Sequence, residues 1–328
     1  MRRAGWAGRA GPNAGPGGFL VVDKPAGRTS HDVVDAARRW LGTRRVGHLG
    51  TLDPLATGVL PLAIGDATKL VPFVEGGRKR YRALITLGVA TDTLDADGRV
   101  TRRFEGPLPD EATVRTALAS FTGQIQQVPP MFSAIKRGGV PLHRLARRGA
   151  EVERAPRPVT IFSLAVVSYA PPELEITLEC SAGTYVRVLA SDLGERLGCF
   201  GHVRELRRAS SGPFDEAQAH DERALERAAA AGRIAELLIS PLDVLGLPRV
   251  TLGPADVLRI GHGGPVRPAP ALPGAARPGD RFATVDASGS LLAVVELDHA
   301  GSLRPLRVVA HRRGSRDVPS EALDPERA

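Results

Sequence analysis

Asparagine occurs once in the 328 residues, at Asn13, and cysteine only twice, at Cys180 and Cys199. Two cysteines are too few for a disulfide framework. They also lack the paired spacing of a zinc site or of a Cys-x-x-Cys redox pair, so both read as small buried hydrophobes of a reducing compartment. No run of about 18 apolar residues exists, so no membrane-spanning helix is expected. Arg2, Arg3 and Arg9 are not followed by the apolar stretch of a secretory signal, and the chain reads as cytoplasmic. Walker, His-Glu-x-x-His, Gly-x-Ser-x-Gly and Gly-x-Gly-x-x-Gly sequences are absent, and the eight histidines are scattered. Metal, nucleotide and serine-nucleophile chemistry therefore find no support. Acid is short as well, with 36 Asp and Glu against 44 Lys and Arg, a formal charge of +8.

That surplus favours a polyanionic partner. A bias toward Ala, Arg, Gly and Pro can inflate arginine without functional meaning, so the charge must be judged by where it clusters. Apolar residues make up 42% of a chain long enough for about two domains. Residues 1–17 are rich in Gly, Ala and Pro without periodicity and read as a disordered extension. A strand is predicted at 18–22, then a helix over about 31–41 with a Thr29-Ser30 cap and a Gly42 stop. Further strands are expected at 59–64, 81–88, 99–104, 159–169 and 174–180, and helices at 111–121, 185–197 and 221–239. From about Leu247 short apolar runs punctuated by Gly and Pro predict a small β module, with a loose tail at 313–328.

Residues 44–54 show no period and read as a loop that carries Asp53. Gly47, Gly50 and Gly58 make its backbone permissive, and Pro54 restricts Asp53 to extended conformations. A carboxylate on a stiffened, glycine-flanked loop suits a reactive group, although an isolated Asp-Pro is more often a turn or a cap.

The run Gly47-His48-Leu49-Gly50-Thr51-Leu52-Asp53-Pro54-Leu55-Ala56-Thr57-Gly58-Val59-Leu60 resembles the signature of the TruB family of tRNA pseudouridine synthases. The resemblance continues through Leu20-Val21-Val22-Asp23-Lys24-Pro25, Gly65-Asp66-Ala67-Thr68-Lys69 and Lys79-Arg80-Tyr81-Arg82-Ala83. It includes Thr91-Asp92-Thr93-Leu94-Asp95-Ala96-Asp97-Gly98 and Gln127-Val128-Pro129-Pro130-Met131-Phe132-Ser133-Ala134-Ile135-Lys136. Cys180-Ser181-Ala182-Gly183-Thr184-Tyr185-Val186-Arg187 and Leu206-Arg207-Arg208 complete it, in the family's order across about residues 18–215.

The resemblance implies an α+β catalytic domain at 18–245, with a mixed, largely antiparallel sheet and flanking helices. A small β domain similar to the family's PUA-like C-terminal module would follow at 246–312. It implies three catalytic residues: Asp53 as the catalytic aspartate, Tyr81 packed against the target base with help in removing its C5 proton as a further role, and Arg187 paired with Asp53. His48, Tyr185 and Leu206 would shape the substrate pocket. The implied reaction turns the T-loop uridine at tRNA position 55 into pseudouridine. Because it loses no electrons and no group, it needs no cofactor or metal. Asp53 could attack C1′ or take a proton from C2′; the sequence leaves both open. A phenol of ordinary pKa about 10 is a poor base at neutral pH, so Tyr81 is expected to position rather than to deprotonate.

Between 136 and 158, Lys136, Arg137, Arg144, Arg147, Arg148, Arg154 and Arg157 face only Glu151 and Glu153. The family places an RNA-clamping insertion at 123–158, so phosphate contact is the expected role of Lys136, Arg137, Arg144, Arg147 and Arg148. A second acid-free stretch runs from Arg304 to Arg316. Phe132 and His143 stand where family members often carry tyrosine, which keeps stacking but removes a phenolic hydrogen bond. The partner implied is the T arm of tRNA, bound by a monomer that needs no other protein and no membrane. The rival readings are a non-catalytic tRNA-binding or folding protein, a synthase working inside a ribonucleoprotein, and a glycoside hydrolase using Asp92 or Asp95 as its second carboxylate.

Overall fold

Strand β1 (Gly18–Lys24) opens the fold with Phe19, Leu20, Val21 and Val22 entirely buried, as a run apolar on both faces requires. The computed structural model describes residues 17–309 except 134, 147, 151, 268–271 and 273, with the backbone alone at 136, 137, 141 and 143. The expected N-terminal extension, apart from Gly17, and the expected tail therefore lie outside the described residues. No helix among those described is long and apolar enough to cross a membrane.

Helix α1 (Ser30–Leu41) begins where the sequence predicts. The Thr29 hydroxyl accepts from the Asp32 amide, and the Asp32 carboxylate accepts from the Thr29 amide, a capping box worth about 1 kcal/mol. Gly42 ends the helix at φ 61°, the left-handed conformation that glycine adopts without a Cβ penalty. The next segment is not wholly loop, because β2 (Val46–His48) pairs with β3 (Thr57–Ile64). After β3 come a 3-10 turn and the short α2 (Val71–Val74).

The main sheet continues with β4 (Lys79–Leu87), β7 (Gly123–Gln127), β10 (Arg157–Ala170), β11 (Glu173–Cys180), β12 (Gly201–Ser211) and β13 (Phe214–Asp215). Its order is β1-β3-β12-β4-β11-β10-β7, with β2 beside β3 and β13 beside β12. All pairings are antiparallel except the short parallel match of β12 to β3, so the sheet is mixed and largely antiparallel. The expected strand at 99–104 instead joins a separate hairpin, β5 (Val89–Thr91) with β6 (Val100–Arg103). Helix α3 (Glu111–Ala119) lies near β10, and α5 (Val186–Arg196) packs on β12.

The central strand β12 was not legible in the sequence. Its buried positions include Ser210, Ser211 and a fully buried Arg208, so apolar alternation fails there. The single helix expected at 221–239 is also corrected. It is α6 (Glu222–Ala230), then a turn in which Gly232 has φ 67°, then a 3-10 turn at Ile234–Leu237. The basic insertion carries β7, a small hairpin of β8 (Lys136–Arg137) with β9 (Val140–Pro141), and α4 (Leu142–Ala146).

The chain divides into two compact units between Val244 and Leu245, at the end of α7 (Pro241–Leu245). The second unit has its own core around Phe282, Ile260, Val266 and Leu303. Its sheet, β14-β15-β16-β17 (Arg249–Thr251, Arg281–Val285, Leu291–Leu297, Leu303–Val308), is accompanied by a helix not anticipated from sequence, α8 (Pro254–Gly261).

Candidate active site

The loop between β2 and β3 is tied at almost every residue that precedes the chemistry. The Ser30 hydroxyl accepts from the Leu52 amide at 2.9 Å and donates to the Leu52 carbonyl at 3.1 Å, both groups being buried. Lys24 Nζ donates to the carbonyls of Pro25, Arg28 and Pro54 at 2.8, 2.7 and 3.1 Å. Arg208 donates to the carbonyls of Val59, Thr51 and Gly50 at 2.8, 3.3 and 3.1 Å. Gly58, at φ 97°, has no room for a side chain. A Cβ there would meet the Arg208 carbonyl at 2.3 Å, where β3 and β12 run in parallel. Burial lowers the Lys24 ammonium to about 8, an effect that Asp53 opposes and Arg208 reinforces.

Asp53 projects from this frame onto Arg187, in the first turn of α5. Arg187 is 3% exposed, and each guanidinium nitrogen has a fixed acceptor. Its Nε donates to Asp53 Oδ2 at 2.8 Å, Nη1 to the Thr93 carbonyl at 2.7 Å, and Nη2 to the Phe132 carbonyl at 2.9 Å. A second carboxylate, Asp95 Oδ2, lies 3.4 Å from Nη1. The planar fork thus binds three chain segments and fixes the orientation of Asp53. Asp53 Oδ1 accepts no hydrogen bond among the described residues, and the side chain stays 32% exposed. One oxygen is clamped and the other is open.

Asp95 is 5% exposed, and burial raises its carboxyl pKa against the lowering effects of the Thr93 hydroxyl and Arg187. It does not line the cleft. Asp92 is held by Arg99. Neither fits the role of a second catalytic carboxylate, which removes the glycoside-hydrolase reading.

Asp53 lines a cleft of about 340 Å³, together with Tyr81, Tyr185 and Leu206 among others. Tyr81 on β4 and Tyr185 before α5 both have their phenol pKa raised, burial being the first cause, so each holds its proton more firmly than free tyrosine and is still less available as a phenolate base at neutral pH. Tyr185 is positioned through its backbone. Its amide donates to Gln127 Oε1 at 3.0 Å and its carbonyl accepts from Gln127 Nε2 at 3.2 Å, with Gln127 1% exposed. His48 is not among the lining residues. It is half-buried, edge-on to His31 with ring centroids 6.0 Å apart, and burial lowers its pKa.

Among the expected phosphate-binding residues, Arg144 and Arg148 are exposed and make no ion pair among the described residues. Arg147 and the side chains of Lys136, Arg137 and His143 lie outside the described residues, as does the second basic stretch beyond Val309. Arg154 turns inward instead, donating to the carbonyls of Val152 and Pro129, both at 3.1 Å. Sequence reasoning missed Lys24, Gln127 and Arg208 as site residues and weighed Asp95 only as the second carboxylate of a glycoside hydrolase. All four sit inside the quoted motif segments, so a polar residue within a matching segment was the available signal.

Comparisons with known proteins agree with this geometry. The TruB family pseudouridylate synthase N-terminal domain matches residues 38–186, and the tRNA pseudouridylate synthase B C-terminal domain matches 187–245. The second match supplies α5 and β12, so it completes the main sheet instead of forming a separate unit. The chain is 52% identical over 229 residues to a tRNA pseudouridine synthase B of Geobacter sulfurreducens, covering 70% of this chain and 75% of the relative. It is 45% identical over 297 residues to that of Aromatoleum aromaticum, covering 89% and 92%. Its fold is similar to that in the crystal structure of a Cbf5-Nop10-Gar1 complex, with TM-score 0.67, 26% identity, and 90% and 85% of the two chains covered. With the signature loop, its clamped aspartate and these matches in agreement, the chain belongs to the TruB family of pseudouridylate synthases.

Proposed function

We propose that this chain isomerises a uridine of tRNA to pseudouridine, and that its target is the T-loop uridine at position 55. One observation carries the reading: Asp53 holds one oxygen against Arg187 at 2.8 Å and lines a cleft that Tyr81 and Tyr185 also line. Isomerisation breaks N1–C1′, turns the base and joins C5 to C1′; the proton lost from C5 is matched by one gained at N1. Attack at C1′ and proton removal at C2′ both need a carboxylate oxygen free to meet the ribose, and Oδ1 accepts no hydrogen bond among the described residues. Tyr81, Tyr185 and Leu206 line the same cleft as Asp53, which supports Tyr81 as the ring that packs on the base. Extruding the uridine costs a few kcal/mol, and stacking on an aromatic side chain returns roughly 1–3 kcal/mol. The exposed Arg144 and Arg148 suit contact with the phosphates of the T arm.

The test is tritium release from tRNA labelled at uridine C5. Wild type releases tritium, and Asp53→Asn loses about 10³-fold or more while still binding RNA. Full activity of Asp53→Asn, or no release by wild type under conditions that support binding, overturns the reading.

A further inference from the structure

Lys24, Arg187 and Arg208 hold the Asp53 loop or Asp53 itself, and all three are bonded to the protein. Lys24 and Arg208 each hold three carbonyls, and Arg187 holds Asp53 with two carbonyls. Lys79 is different. It opens β4 two residues before Tyr81, so the two side chains share a face of the strand, and both line the cleft with Asp53. Its ammonium makes no hydrogen bond or ion pair among the described residues. Nζ lies 2.9 Å from where a Cβ on Gly50 would stand, so glycine there leaves the space that the lysine fills.

The setting is unfavourable for an unpaired cation. The side chain is half-buried, and burial and the neighbouring Arg208 both lower its pKa, against smaller opposing effects of Cys180 and Glu75. A desolvated ammonium beside a second cation is stabilised by an incoming anion. Uracil and ribose are neutral in the ground state, so the anion a tRNA brings into this cleft is its backbone.

We infer that Lys79 binds a phosphodiester group of the extruded nucleotide, holding the target strand by its backbone and not by its base. The inference rests on the RNA substrate proposed above. It is tested with wild type, Lys79→Met and Lys79→Arg on a T-arm RNA and on the same RNA carrying an uncharged methylphosphonate linkage on either side of the target uridine.

Lys79→Met is expected to raise KM and Kd by about tenfold, the scale of one charge-assisted contact, with kcat within about twofold. Its dependence of log affinity on log salt should be shallower by about 0.7. Lys79→Arg recovers most of the affinity. One neutral linkage should weaken wild type by the same factor and weaken Lys79→Met no further. A fall in kcat with unchanged KM would place the ammonium in the chemical step and overturn the inference. Equal losses by wild type and Lys79→Met at every neutral linkage would overturn it too. The binding comparison needs no turnover, so failure of wild type to form pseudouridine would sink the proposed function separately.

Discussion

On the Asp53 side of the cleft, Lys24, Arg187 and Arg208 are buried and bonded to backbone carbonyls, whereas across residues 142–150 the side chains of Arg144 and Arg148 are exposed and make no ion pair among the described residues. The same residue types serve opposite ends. A buried cation with every donor satisfied fixes a loop, because breaking any one contact leaves a desolvated group unpaired. An exposed cation fixes nothing and stays free for a polyanion. Arg187 belongs to the first kind, yet its bond to the Phe132 carbonyl reaches the segment that carries the second.

The sharpest way to break this comparison is at that bridge. Arg187→Met leaves buried Asp95 without its cation and two carbonyls without their donor, so it should cost about 3–5 kcal/mol of stability and nearly all activity. A urea midpoint equal to wild type would show that the guanidinium is not holding the segments together.

Next in size is the pH dependence set by Lys24. Burial brings its folded pKa to about 8, against 10.5 in the unfolded chain. Between those values the unfolded chain binds more protons, so this lysine's penalty is full below pH 8 and is relieved as pH rises toward 10.5. The change is on the order of 3 kcal/mol. Subtracting the unfolding profile of Lys24→Met from that of wild type should expose the rise; superimposable profiles would contradict it.

The smallest effects belong to the exposed side. Arg144→Gln and Arg148→Gln should each weaken RNA binding about threefold and flatten the salt dependence by roughly 0.7, leaving kcat and stability unchanged. A change in kcat with an unaltered salt slope would mean that these arginines act on the chemistry.

Much of the frame was readable because local chemistry dictates it. Thr29 and Asp32 cap α1, Gly42 stops it, and the alternation of β4 around Tyr81, Ala83 and Ile85 marks a half-buried strand. Asp53, Tyr81, Tyr185 and Leu206 do meet in one cleft, with Arg187 behind Asp53; His48, expected with them, does not line it. What escaped was β12, the Gly232 break in the expected helix, α8 of the second unit, and the loop's supports Lys24 and Arg208.

The sequence by itself determined the Asp53 loop, the glycines that let it turn, the capped helix before it and the family motif. Only the tertiary structure decided that Arg187 would be shared among Asp53, Thr93, Asp95 and Phe132, and that Arg208 would lie fully buried in a central strand. The reason is physical. Hydrophobic periodicity assumes that charge points outward, and a cation points inward only when acceptors distant in sequence close around it.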